Sequence, residues 1–152
     1  MFLIYMRGLP SRGNHSTGCE ILNKMYKNDI NGLGGNDDCG QMSAWYLFSV
    51  MGFYPVCPGT DQYVLGAPYL PYLKMTLPNG KTLEIKAPGV SDKKRYVQSL
   101  KLNGKVYDKM YITHEDILKG GVLEFKMGAS PNKRRGLSPE DKPYSLTNGI
   151  NE

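Results

Sequence analysis

The chain has 152 residues, a formal charge of +5, 40% hydrophobic and 22% charged residues. That mix is globular and fits one domain, or one domain with part of another. It excludes collagenous and fully disordered chains, and the apolar run Met1-Phe2-Leu3-Ile4-Tyr5-Met6 is far short of the roughly 20 residues of a membrane span.

The start lacks a basic n-region and a small-residue cleavage site, so it does not read as a signal peptide. Residues 1 to about 16 carry breakers and no period. A helix is predicted after Ser16 or Thr17, with Ile21, Leu22, Met25 and Tyr26 on one stripe and Asn28 and Asp29 ending it. A glycine-rich stretch follows from Asn31 to Asp38. A second helix is predicted from Cys39 to Met51, capped by Asp38 with Gln41 completing a capping box, and stopped by Gly52 and Pro55. It is apolar all round, which predicts burial.

The period then changes to two. Leu73, Met75 and Leu77, then Leu83, Ile85 and Ala87, flank Pro78-Asn79-Gly80 and predict a hairpin. Strands are also predicted at 62–65, 95–102 and 105–107 around Asn103-Gly104, and over Leu123, Phe125 and Met127. Thr113 reads as the cap of a one-turn helix at His114-Glu115-Asp116. The tail after Gly136 is polar and is expected to fray. The fold class is therefore α+β: two or so helices followed by, and packed on, an antiparallel β-sheet.

Lys93-Lys94-Arg95 and Lys133-Arg134-Arg135 could touch phosphate, but no aromatic stacking pattern accompanies them. No nucleic-acid partner is expected. Cys19, Cys39 and Cys57 show no C-x-x-C spacing, which removes zinc-knuckle and dithiol readings. Pairing of Cys39 with Cys57 stays open.

The densest chemistry lies in Gly34-Gly35-Asn36-Asp37-Asp38-Cys39-Gly40-Gln41. Three roles compete there. Asp38 can cap the helix that follows. Asn and Asp oxygens suit a hard cation such as calcium, though calcium takes about six to eight oxygens and this run offers few. A carboxylate at a helix start can also activate water as a general base. Elsewhere, His114 reads as a surface histidine and His15 has no partner. Ser43 does not sit on a nucleophile elbow. Phe53 and Tyr54, beyond the helix end, are the aromatic residues expected to face a sugar.

The run Asn31-Gly32-Leu33-Gly34-Gly35-Asn36-Asp37-Asp38-Cys39-Gly40-Gln41-Met42-Ser43-Ala44-Trp45-Tyr46, followed by Gly52-Phe53-Tyr54-Pro55-Val56-Cys57-Pro58-Gly59, closely resembles the C-terminal part of glycoside hydrolase family 92. The likeness continues through Asp61–Pro68, Tyr96-Val97-Gln98-Ser99, His114-Glu115-Asp116-Ile117 and Pro131-Asn132. Residues 19–136 are assigned to that C-terminal α+β region. Residues 1–18 match poorly, 137–152 form a polar tail, and Arg135 stands where the family tends to have an aromatic residue.

The resemblance implies an exo-acting α-mannosidase of α-1,2 type. Such an enzyme removes terminal mannose from N-glycans or mannans with inversion and with the help of calcium. Asp37 and Asp38 match the acidic motif that supplies the base, and Asn36 falls where a calcium contact is expected. If Asp38 caps the helix, Asp37 is the carboxylate left to face the pocket. The resemblance places the general acid and most calcium ligands upstream, so the chain by itself is expected to be inactive. It is also expected to self-associate through an apolar face. Members of the family are usually exported. The alternative is a stand-alone carbohydrate-binding or structural module without catalysis.

Overall fold

The structure is a computed structural model that describes residues 12–146, with the backbone alone at 12–17 and 19. His15, the Cys19 thiol and the end of the tail thus lie outside the described side chains. Among the described residues, three α-helices pack with eight strands, which form two sheets around a shared core. The α+β class expected from the sequence is what is observed.

Helix α1 spans Arg12–Met25 and begins earlier than the stripe predicts. Helix α2 spans Gln41–Met51. Strands β1 (Phe53–Tyr54) and β2 (Gln62–Leu65) pair antiparallel, and β2 pairs with β7 (Tyr111–Thr113). The larger sheet runs in the order β3 (Tyr72–Thr76), β4 (Thr82–Lys86), β8 (Gly121–Gly128), β5 (Tyr96–Leu102), β6 (Lys105–Val106). This sheet is not purely antiparallel, because β4 and β8 run parallel. The intervening chain folds β5, β6, β7 and helix α3 (His114–Lys119) before returning to β8.

Alternation sets the core. Leu83 and Ile85 of β4, Leu100 of β5, and Leu123 and Phe125 of β8 are almost fully buried. Each contributes on the order of 1.5–3 kcal/mol by leaving water. Met51, Phe53, Leu65, Ile112 and Ile117 join the same cluster, so both sheets, α3 and the end of α2 share one interior. Local chemistry sets the corners. Asn103 and Gly104, both at positive φ, make the tight β5–β6 turn. The Thr113 hydroxyl accepts the Asp116 N–H at 3.1 Å and caps α3 as expected.

Two expectations are corrected. Helix α2 is not buried all round: only Ser49, Val50 and Met51 are buried, and Leu47 is 57% exposed. Only its last turn meets the core. The tail does not fray as far as it is described. The Met110 N–H donates to the Asp141 carbonyl at 2.7 Å, and the Tyr144 N–H donates to Gln62 Oε1 at 2.8 Å. Arg135 anchors its base through Nη2–H bonds to the carbonyls of Lys109 at 2.9 Å and Tyr107 at 3.5 Å. Burial lowers the pKa of this guanidinium, and the charges of Asp108 and Asp141 counter that.

Gly52 joins α2 to the sheets. At φ 83 its N–H closes the helix on Phe48 and Ser49, and its carbonyl accepts the Gly66 N–H at 2.7 Å. A Cβ there would lie 2.6 Å from the Pro68 nitrogen. Gly80, at φ 78, has open space around it. Gly80→Ala is therefore expected to cost only the left-handed strain of about 1–2 kcal/mol. Gly52→Ala should cost more, because backbone must also move. Urea midpoints at unchanged slope measure both, and equal midpoints would refute the packing argument.

Candidate functional site: the acidic loop before helix α2

The loop grows out of a tight turn after α1. The Lys27 N–H donates to the Gly32 carbonyl at 2.9 Å, and Asp29 Oδ1 accepts the Asn31 N–H at 2.8 Å. Tyr26 closes this turn by bridging to Leu33 and lies against α2, with its ring stacked on Trp45 at 5.6 Å. Its hydroxyl donates to the Met42 carbonyl at 3.2 Å. Burial, and then the charge of Asp37, push this phenol's pKa up.

Asp37 is half-buried and faces the N-terminus of α2. Its Oδ1 accepts the Ser43 N–H at 2.8 Å, and its Oδ2 accepts the Ser43 hydroxyl at 2.9 Å. Its carbonyl accepts the Gln41 N–H at 2.7 Å. The Ser43 N–H holds the Asp37 carboxyl below its ordinary value. Burial opposes this, while the Ser43 hydroxyl and the Met42 N–H add to it.

Asp38, Cys39 and Gly40 follow at φ 42, 61 and 88, three consecutive left-handed residues. For ordinary residues this conformation costs roughly 1–2 kcal/mol each, less for Asp and little for Gly. Asp38 is exposed, and its carboxylate makes no hydrogen bond among the described residues. Gly40 occupies the cap position and offers no side chain.

The expected roles of the two carboxylates are thus exchanged. Asp38 does not cap α2 and Gln41 completes no capping box. Asp37 reaches back across the reversal to the third helical amide, the bond a cap residue ordinarily makes. The spacing hides this because it depends on three positive φ angles in a row. Ser43, set aside in the sequence as a nucleophile, is the partner that sequence reasoning missed.

Phe53 is also corrected as a sugar-facing residue. It is 3% exposed and packs edge-on against Phe48 and Tyr63 within the core. Tyr54, the next residue on the strand, points to the other face and is half-buried, edge-on to Phe48 at 5.7 Å. Burial raises the pKa of its hydroxyl. His114 is exposed, stacks on Tyr63 and lies 3.1 Å from its hydroxyl through Nδ1. That is the surface role expected for it. Cys39 and Cys57 are both free thiols.

Asn36 is exposed at the mouth of the loop. No three His, Cys, Asp or Glu side chains come together as a metal cage among the described residues. Asn36, Asp38 and nearby carbonyls fall well short of the oxygens that calcium needs. The residues present do not make a calcium site on their own. No helix among the described residues is long and apolar enough to cross a membrane.

Residues 9–129 match the glycosyl hydrolase family 92 catalytic domain, so the likeness begins upstream of residue 19. An α-mannosidase of that family from Bacteroides thetaiotaomicron is 43% identical and superposes with a TM-score of 0.79 over 88% of this chain and 18% of its own. It has also been solved in complex with mannoimidazole. An inverting mannosidase of the same family and organism is 38% identical, with a TM-score of 0.76 over 88% of this chain and 18% of its own. An uncharacterized secreted glycosidase of Arthroderma benhamiae is 32% identical over 98% of this chain and 19% of its own length. The chain thus spans about a fifth of the relatives it matches.

The depressed Asp37 pKa has a stability consequence with a definite sign. The ionised form is favoured in the folded protein. Its contribution is fully present above the ordinary carboxylate range and is lost as pH falls through the folded value. Asp37→Asn should be less stable than the parent at neutral pH and should lose less stability on acidification. Urea midpoints at pH about 7 and about 3 measure this. An equal acid loss in both proteins would show that Asp37 is not held ionised by the fold.

Proposed function

The chain belongs to glycosyl hydrolase family 92, and on that premise we propose that it is the C-terminal part of an exo-acting α-mannosidase. The likeness to an α-mannosidase over 88% of this chain carries the reading. The substrate is terminal mannose on N-glycans or mannans, with α-1,2 the linkage proposed. The secreted relative supports export of the whole protein.

The acidic loop supplies the base. Between the two carboxylates, Asp38 is assigned as the base, because Asp37 is already engaged by Ser43. The two Ser43 donors stabilise Asp37 as an anion and so weaken it as a base. Asp38 has both oxygens available to water. In the inverting reaction a water O–H gives its proton to Asp38 as its oxygen forms a bond to the anomeric carbon. The glycosidic C–O bond breaks on the opposite side, and the departing oxygen takes a proton from a second carboxylic acid. That acid stands about 6.5–9.5 Å from the base in such enzymes and comes from the rest of the longer protein. Calcium, if bound, would polarise and orient sugar hydroxyls. Asn36 is the residue of this loop proposed to reach it, with most of the shell supplied from outside this segment. Tyr54, on the far side of Phe53, is retained as the aromatic side chain for substrate.

The chain alone holds a base without its acid, so it should release no mannose from α-mannosides, with or without calcium. Calcium-dependent release by this chain alone would overturn the division of the site. Binding of mannosides without turnover or calcium dependence would favour a carbohydrate-binding module instead. The exposed Leu47 face of α2 should drive self-association of the isolated chain. Sedimentation velocity tests this, and a monomer up to high concentration would refute it.

A further inference from the structure

A carboxylate that activates water must be held in place, and the exposed Asp38, on a left-handed backbone, has no side-chain hydrogen bond or ion pair among the described residues to hold it. Among the described residues, the side-chain hydrogen bonds that cross the reversal join one pair of residues. Ser43 puts one donor on each oxygen of Asp37: its N–H on Oδ1 at 2.8 Å and its hydroxyl on Oδ2 at 2.9 Å. Two donors on two oxygens fix the plane of the carboxylate as well as its position, which one bond does not. The Asp37 carbonyl is tied to the same helical turn through the Gln41 N–H. Residue 37 is therefore pinned at both its backbone and its side chain, and residue 41 begins the helix. The three residues between must close that short gap, and they do so at φ 42, 61 and 88. The cap position itself, Gly40, has no side chain with which to share the work. Tyr26 holds the other side of the turn through the Met42 carbonyl but makes no bond to Asp37 or Asp38.

We propose that Ser43 is the positioning residue of the acidic loop, clamping Asp37 through both carboxylate oxygens so that the left-handed reversal 38–40 presents Asp38 in one place. The proposal deepens the reading of Asp38 as the base and rests on it for its catalytic consequence. The clamp itself is a statement about geometry. A threonine at position 43 keeps both donors. An alanine keeps the N–H and loses the hydroxyl, leaving Asp37 Oδ2 unpaired and its plane free to rotate.

The experiment compares the parent chain with Ser43→Ala and Ser43→Thr by NMR of the uniformly labelled protein. Residues at positive φ give strong intraresidue amide-to-Hα cross-peaks, so Asp38 and Cys39 report the reversal directly. The parent and Ser43→Thr should show these cross-peaks. Ser43→Ala should weaken them at both residues while the sheet resonances stay in place. Retention of full-strength cross-peaks in Ser43→Ala would overturn the clamp. So would failure of Ser43→Thr to restore them in a chain whose sheets remain folded. No substrate enters this readout, so it stands apart from the identity of the base. In the longer enzyme carrying this segment, Ser43→Ala should lower kcat tenfold or more, about the scale of a small misplacement. KM should change less than about twofold, with Ser43→Thr recovering the loss. Loss of the cross-peaks with kcat unchanged would overturn the catalytic half of the proposal, and with it Asp38 as the base.

Discussion

The acidic loop takes its position from the way the last turn of α2 is fastened to the sheets, through Gly52, Met51 and the packing of Phe48. Gly52 ends the helix at positive φ, accepts the Gly66 N–H through its carbonyl and lies flat against Pro68. No side chain fits there. The next residue, Phe53, enters the core, and the strand it starts pairs with β2. The helix is thus a lever. Its C-terminal turn is embedded among Met51, Phe53 and Leu65, and its N-terminal turn carries the two carboxylates out of the core. Rigidity at the buried end is what gives the exposed end a geometry.

That arrangement explains which parts were legible in the sequence. Features decided by chemistry within a few residues were read correctly: the hairpin around Pro78-Asn79-Gly80, the turn at Asn103-Gly104, the Thr113 cap and the alternation of Leu123, Phe125 and Met127. Features decided by distant partners were not. The parallel pairing of β4 with β8 joins residues nearly forty positions apart, and no periodicity encodes it. Phe53 looked like a loop aromatic because a two-residue strand has no pattern to show; alternation about Leu65 and Val64 sends Phe53 inward and Tyr54 outward. Helix α1 begins among breakers such as Gly13 and Asn14, where propensity argued against it.

The exchanged carboxylates belong to a third case. Asp38 precedes the helix at the spacing of a capping residue, and a conventional cap follows from local rules. Those rules assume an extended residue at the cap. Here Asp38, Cys39 and Gly40 are left-handed, and the chain folds back far enough for Asp37 to reach the Ser43 amide. Gly40 was the signal available: a glycine immediately before an apolar helix marks a possible positive φ, which also removes the cap side chain. The acidic motif itself was legible, and its internal division of labour was not.

The same division shows why geometry and chemistry separate in a segment of this size. Among the described residues, the hydrogen bonds that shape the loop run between positions 26 and 43: Asp37 to Ser43 and Gln41, Tyr26 to Met42, and Lys27 to Gly32. These contacts span at most sixteen residues. The loop's form is therefore set by short-range bonds. Inversion at an anomeric carbon is different in kind. It needs a proton acceptor and a proton donor on opposite faces of a sugar, separated by the width of a water and a ring. A short-range network cannot supply both sides of that gap. On the proposed reading, a base held on this local scaffold would face an acid carried by the rest of a longer protein, and the chemistry would be conditional on assembly while the base's own geometry is set locally.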